Sequence, residues 1–169
     1  MYKDYAVFDL EIKYGIPINI KNEYTYCKGW TDYIGMGCSC GAVTYLEETI
    51  VYSDIDKLVN RLIKLQESNI YVGGFNNKTF DDKLLAGLGY NFISDFDLLK
   101  FIRERIGFIK GLSLSALAEK NGLTKLGHGS SAPELFQDGK FEELYTYVKN
   151  DSYITYELLK KMLDNSFKW

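Results

Sequence analysis

The stretch Tyr5-Ala6-Val7-Phe8-Asp9-Leu10-Glu11-Ile12 begins apolar and ends on two carboxylates. Side chains alternate faces in a strand, so Ala6, Phe8, Leu10 and Ile12 share one face, and Tyr5, Val7, Asp9 and Glu11 the other. A strand covered on both faces is a continuous apolar run, as residues 5 to 8 are, which predicts a place inside a sheet. Two ionised carboxylates continuing that run lose hydration unless a cation or hydrogen bonds compensate. With Cβ atoms roughly 6.5 to 7 Å apart at strand rise, both carboxylates can reach one divalent ion. Alternatively the strand runs out into solvent at Asp9, and the stretch by itself leaves both outcomes open.

Beyond it, residues 13 to 32 are polar and Tyr-rich, with Tyr24 and Tyr26 alternating like a strand. Residues 33 to 38 and 42 to 46 are expected as two further strands joined by a turn at Ser39 to Gly41, which makes the first third a β-meander. From Ile55 the apolar period becomes helical and runs to about residue 67, started by Ser53, Asp54 and Asp56. The strand Ile70-Tyr71-Val72 leads through Gly73-Gly74-Phe75-Asn76-Asn77 into a helix carrying Asp81, Leu84, Leu85 and Leu88, as in a parallel crossover unit. A strand at Phe92 to Phe96 follows, then helices over Leu98 to Ile106 and Leu112 to Lys120, a loop over 122 to 133, and a long helix from Phe141 to about Leu163. The expected class is α/β: a mixed five-stranded sheet, meander first and parallel strands after, flanked by helices. All 169 residues are expected to form one domain.

Apolar residues at 46% and charged residues at 25% fit an ordinary globular protein, and the net charge of −3 argues against a protein that coats nucleic acid electrostatically. Between Lys100 and Lys125, however, six basic residues face two acidic ones, which makes either a phosphate-facing patch or a solvated helix face. Cys27, Cys38 and Cys40 are odd in number and lack a repeated C-x-x-C pair, so neither a disulfide framework nor a zinc site is supported, even with His128 as a fourth ligand. With no basic-plus-apolar leader and no apolar run of spanning length, a cytoplasmic protein without a membrane partner is expected.

Two further acidic residues lie where a helix would bury apolar ones. Asp81 shares the face of Leu84 and Leu85, although a first-turn Asp also suits capping. Asp151 interrupts the stripe Leu144, Val148, Thr155, Leu158 and Met162, and Tyr147 lies four residues before it on the same face. Taken in order, these residues resemble the DEDD superfamily of 3′→5′ exonucleases, which have a ribonuclease-H-like fold. Phe8-Asp9-Leu10-Glu11 is similar to the superfamily's D-x-E motif on the first strand, Asn76-Asn77-Lys78-Thr79-Phe80-Asp81 to its second motif, and Tyr147-Val148-Lys149-Asn150-Asp151 to its third in the Y-x-x-x-D form. Thr146 stands where the sister subgroup carries His, so the resemblance is to the Tyr subgroup. Gly111 to Leu114, through Asp138-Gly139-Lys140, looks like its stand-alone or helicase-linked bacterial members.

The resemblance implies a two-metal hydrolysis of phosphodiesters, using two Mg²⁺ or Mn²⁺ ions and releasing nucleoside 5′-monophosphates. It makes Asp9, Glu11, Asp81 and Asp151 metal ligands, with Asp9 bridging, and Tyr147 the residue that orients the attacking water. Single-stranded or frayed 3′ ends are the expected partners, of DNA ahead of RNA. Leu10, Asn76, Asn77 and Phe80 are expected to meet the terminal nucleotide, with a ring such as Phe75 or Phe80 stacking on a base, and Lys125 and His128 to meet phosphate. Two rivals remain. A ribonuclease-H-like endonuclease would cut a circular or 3′-blocked substrate, and a non-catalytic nucleic-acid- or partner-binding domain of the same fold would bind no Mg²⁺ or Mn²⁺ in calorimetry.

Overall fold

A computed structural model describes residues 4–127 and 131–169. Along the chain run β1 (Tyr5–Ile12), α1 (Tyr33–Met36), β2 (Cys38–Tyr45), β3 (Glu48–Tyr52), α2 (Ile55–Glu67), β4 (Tyr71–Gly74), α3 (Asp81–Gly87), β5 (Phe96–Asp97), α4 (Leu98–Ile106), α5 (Leu114–Lys120), α6 (Ala132–Gln137) and α7 (Phe141–Leu163). The five strands form one open mixed sheet in the order β3-β2-β1-β4-β5. β1, β2 and β3 pair antiparallel, whereas β4 and β5 join parallel to β1. The fold is therefore α/β, with β1 central.

Both faces of β1 are covered, which is why its first half is apolar throughout. Ala6, Phe8 and Leu10 pack with Val43, Leu58, Leu62, Leu84 and Leu85 beneath α2 and α3, and Phe8 meets Phe92 edge to face at 5.5 Å. On the opposite face, Val7, Asp9 and Glu11 pair with Thr44, Ala42 and Cys40 of β2. Those three partners are small and buried, so α7 can lie close against the strands. Ser152 pins the contact from α7, donating to the Val7 carbonyl at 3.3 Å and sharing a 2.8 Å hydrogen bond with the Thr44 hydroxyl. Among the described residues no helix is long and apolar enough to cross a membrane, and the three cysteines are free and buried.

Several elements differ from the sequence expectation. Residues 33 to 36 form a helical turn capped by Asp32, and 38 to 45 form one unbroken strand through the expected turn at Ser39 to Gly41. The real hairpin turn is Leu46-Glu47, with φ of 50° and 66°. The strand expected over 92 to 96 shrinks to Phe96–Asp97, and α6 occupies the end of the expected loop, with Pro133 in its first turn. Tyr26 makes only an isolated bridge to Gly15.

β1 and β5 crowd β4 at its two glycines. A Cβ on Gly73 would lie 2.3 Å from the Phe96 carbonyl oxygen, and one on Gly74 would lie 2.2 Å from Asn77 Oδ1 and 2.4 Å from the Phe8 carbonyl oxygen. Gly74→Ala is expected to cost ~2–3 kcal/mol through overpacking that backbone cannot relieve. For a chain of this length that is a fall of ~4–12 °C in Tm, read by circular dichroism. An unchanged melt would contradict the close approach.

Candidate active site

Asp9 and Glu11 leave β1 on the α7 side, and Asp151 comes down from the middle of α7 to meet them. The three each offer a carboxylate oxygen, and all three oxygens lie within 4.8 Å of one another. Glu11 and Asp151 are buried and Asp9 is partly so. The small side chains of Cys40 and Ala42, opposite Glu11 and Asp9, leave room for this meeting.

Asp81 enters from the other side. β1 pairs with β4 only from Tyr5 to Val7, so the backbone groups of its carboxylate end have no strand beside them there. Two side chains stand in for the missing strand. Asn77 Nδ2 donates to the Phe8 carbonyl at 3.3 Å, and the Leu10 N–H donates to Asp81 Oδ1 at 3.1 Å. Asp81 therefore fixes the carboxylate-bearing end of β1 and lies near enough to add negative charge to Asp9 and Glu11. The other Asn77 amide atom, Oδ1, is buried without a hydrogen-bond partner among the described residues and packs against Gly74.

The cation within this group is Lys125. Its ammonium donates to Tyr147 Oη at 2.9 Å and Asp151 Oδ1 at 2.5 Å, and also contacts Asp151 Oδ2. It lies 4.4 Å from the centre of the Tyr147 ring, and its side chain is only 10% exposed. Lys125, expected to meet phosphate, is here paired with Tyr147 and Asp151. Gly127, in the left-handed region at φ 65°, lets this loop pass within contact distance of the Tyr147 ring.

Like charges gathered out of water favour protons. Burial, then the neighbouring carboxylates Glu11, Asp151 and Asp81, holds Asp9 well above the usual carboxylate range. Glu11 is raised likewise, first by burial and then by Asp151. Asp81 is pushed up to about 8 by burial, against the hydrogen bonds that lower it. Burial also raises Asp151, although Lys125 pulls it down. Burial and then the charges of Glu11, Asp151 and Asp9 raise the Tyr147 phenol, so it keeps its proton at any physiological pH.

Other residues singled out from sequence divide between scaffold and cleft. Leu10 and Phe80 line a cleft of about 580 Å³ that begins at Glu11. Asn76 has φ 67° and donates its N–H to Asp97 Oδ1 at 3.0 Å, so its part is in the turn. Phe75 packs on the apolar cluster of α4, α5 and α7. His128 lies outside the described residues. Asp97, which sequence reading passed over, is a buried anchor: it accepts the N–H groups of Asn76, Lys78 and Lys100, tying the second motif's loop to the start of α4. An Asp directly before the apolar period of Leu98, Leu99 and Ile102 was the available signal.

Three clustered carboxylate oxygens are hard donors and suit a hard divalent ion such as Mg²⁺ or Mn²⁺. Their raised affinity for protons reflects the same demand for positive charge, which Lys125 meets by direct contact at Asp151 and only partly, through its field, at Asp9 and Glu11. No protein-family model and no curated protein matches the chain.

Proposed function

We propose that the chain is a divalent-metal-dependent 3′→5′ exonuclease of the DEDD superfamily, Tyr subgroup, with a ribonuclease-H-like fold. It acts on single-stranded or frayed 3′ ends of DNA or RNA and releases nucleoside 5′-monophosphates. The carrying observation is the meeting of Asp9 and Glu11 with Asp151, 140 residues after Glu11 in sequence, beside Tyr147 and Asp81. The sheet, a meander followed by parallel strands, supports the same reading.

Divalent ions held by Asp9, Glu11 and Asp151, with Asp81 beside them, would supply Lewis acidity to the scissile phosphate and acidify the attacking water. The chain's residues do the positioning. Because Tyr147 stays protonated, its hydroxyl serves as a hydrogen-bond donor and not as a base, so it orients the water. Lys125 spans Tyr147 and Asp151 and sets the phenol relative to the carboxylate. A bond forms from the water oxygen to phosphorus as that water gives up a proton to solvent, the P–O3′ bond breaks, and the leaving 3′ oxygen takes up a proton from solvent.

Ligands and phenol should therefore behave differently. Asp151→Ala is expected to abolish metal-dependent digestion of a 5′-labelled oligonucleotide, whereas Tyr147→Phe, which misplaces the water, slows it by ~10–100-fold. Wild-type rates in both Asp151→Ala and Asp9→Ala would overturn the proposal.

A further inference from the structure

We infer that the segment joining β1 to α1, residues 13 to 32, forms a base-stacking cleft that receives unpaired nucleobases next to the carboxylate site. The inference rests on the exonuclease reading for its ligand and adds residues outside the three motifs. The cleft of about 580 Å³ starts at Leu10 and Glu11, passes Phe80, and is walled by Tyr24, Tyr26 and Trp30. It is therefore continuous with the site where a strand's end would be cut, and its size is that of a small-ligand pocket, far from the width of a duplex. Trp30 is 62% exposed, so its indole contributes little to the core.

The wall is built and held. Cys27 is buried in the core, and its N–H donates to the Gly15 carbonyl at 3.0 Å. Gln137 of α6 clamps Thr25 from both sides, accepting its N–H at 2.7 Å and donating to its carbonyl at 3.1 Å. Lys21 pairs with Glu134 at 2.6 Å, and its own N–H donates to the Tyr26 hydroxyl at 2.9 Å. Tyr26 thus stands in a fixed position on the wall that Trp30 shares, and that wall does not need to fold on binding.

Charge decides what such a cleft takes. Its one lysine among the described residues, Lys21, is already committed to Glu134, and Glu11 and Glu134 add negative charge. Among the described residues phosphates find no free cation along it, so the cleft offers ring faces. Every nucleobase has a face to stack, but only in an unpaired strand can bases leave their own stack. The ligand class is thus single-stranded nucleic acid, held through its bases.

The test uses Trp169→Phe protein, in which Trp30 is the remaining tryptophan, in EDTA so that binding is read without turnover. Single-stranded oligodeoxythymidylate is expected to quench Trp30 fluorescence to saturation, while an abasic strand of the same length and a duplex do not. Trp30→Ala in the otherwise wild-type chain is expected to weaken oligodeoxythymidylate binding by ~10–100-fold, read by fluorescence anisotropy of a labelled strand. Equal quenching by the abasic strand or the duplex, or unchanged affinity in Trp30→Ala, would overturn the inference. Hydrolysis of thymidine 5′-monophosphate p-nitrophenyl ester by the parent protein with Mn²⁺ reports the catalytic centre separately. The stacking cleft thus fails if the ester is cleaved without strand-dependent quenching. If instead quenching occurs without cleavage of ester or strand, the exonuclease reading fails and the binding cleft stands.

Discussion

Asp9→Asn is expected to remove the proposed metal-dependent nuclease activity, by ~10³-fold or more, and at the same time to make the ion-free protein more stable. The two effects have one cause. Asp9 is crowded by Glu11, Asp151 and Asp81, all of its own sign, and lacks the direct ammonium contact that Asp151 has. Replacing it with a neutral isostere relieves the crowding while deleting a donor for the ion. In EDTA near pH 8 the gain should be ~1–2 kcal/mol, a rise of ~2–8 °C in Tm. Asp151→Asn should lose activity equally but move stability the other way, by ~1–3 kcal/mol, because it strips a nearly buried Lys125 of its anion. Thermal melts of the two variants in EDTA check this directly. Shifts of the same sign in both would contradict the roles assigned to Lys125 and the cluster.

The second large effect is on pH. A carboxyl raised in the folded state binds its proton more tightly there than in the unfolded chain, so stability falls as pH rises between the two values. For Asp81 that window runs from the ordinary carboxylate range, near 4, to about 8. Asp9, Glu11 and Asp151 are raised as well and act in the same direction. Asp32, Glu47 and Asp164 are lowered and act oppositely, at more acid pH, but they lie at the surface, where water screens them. The ion-free protein is therefore expected to lose a few kcal/mol between pH 5 and pH 8, at ~1.4 kcal/mol per unit of raised pKa. Mg²⁺ or Mn²⁺ should restore stability chiefly at the upper end, where protons no longer compete, by ~2.7 kcal/mol at a hundredfold excess over Kd. Scanning calorimetry across pH with and without Mn²⁺ measures both. A metal-induced rise as large at pH 5 as at pH 8 would contradict the linkage.

Much of this was legible in the chain, and what was hidden has physical reasons. β1 and α7 announce themselves because their periods, two and 3.6, are long and each is broken by acidic residues in register with the site. The hairpin misled in both directions. Gly41 looks like a turn, yet it is a strand glycine pressed by Leu58 and Leu10, whose side chains lie 2.4 and 2.7 Å from where its Cβ would be. The true turn, Leu46-Glu47, carries no turn residue although both positions are left-handed. α1 is too short to show a period, and Pro133 conceals α6 because a proline in a first turn looks the same as a breaker. Within the site, the carboxylates were readable from their misfit with burial. Asp81 standing in for a strand at Leu10, and Lys125 folded onto Asp151, depend on where β4 stops and where a loop returns, and no local pattern records either.

The central claim is that these carboxylates hold ions that cut a strand from its 3′ end. It is tested most directly by incubating a 5′-labelled linear single strand and a covalently closed circular single strand side by side with Mg²⁺ or Mn²⁺. The expected result is a ladder shortening stepwise from the 3′ end, nucleoside 5′-monophosphates as product, and an intact circle. A nicked circle, or a linear strand left whole, would contradict it.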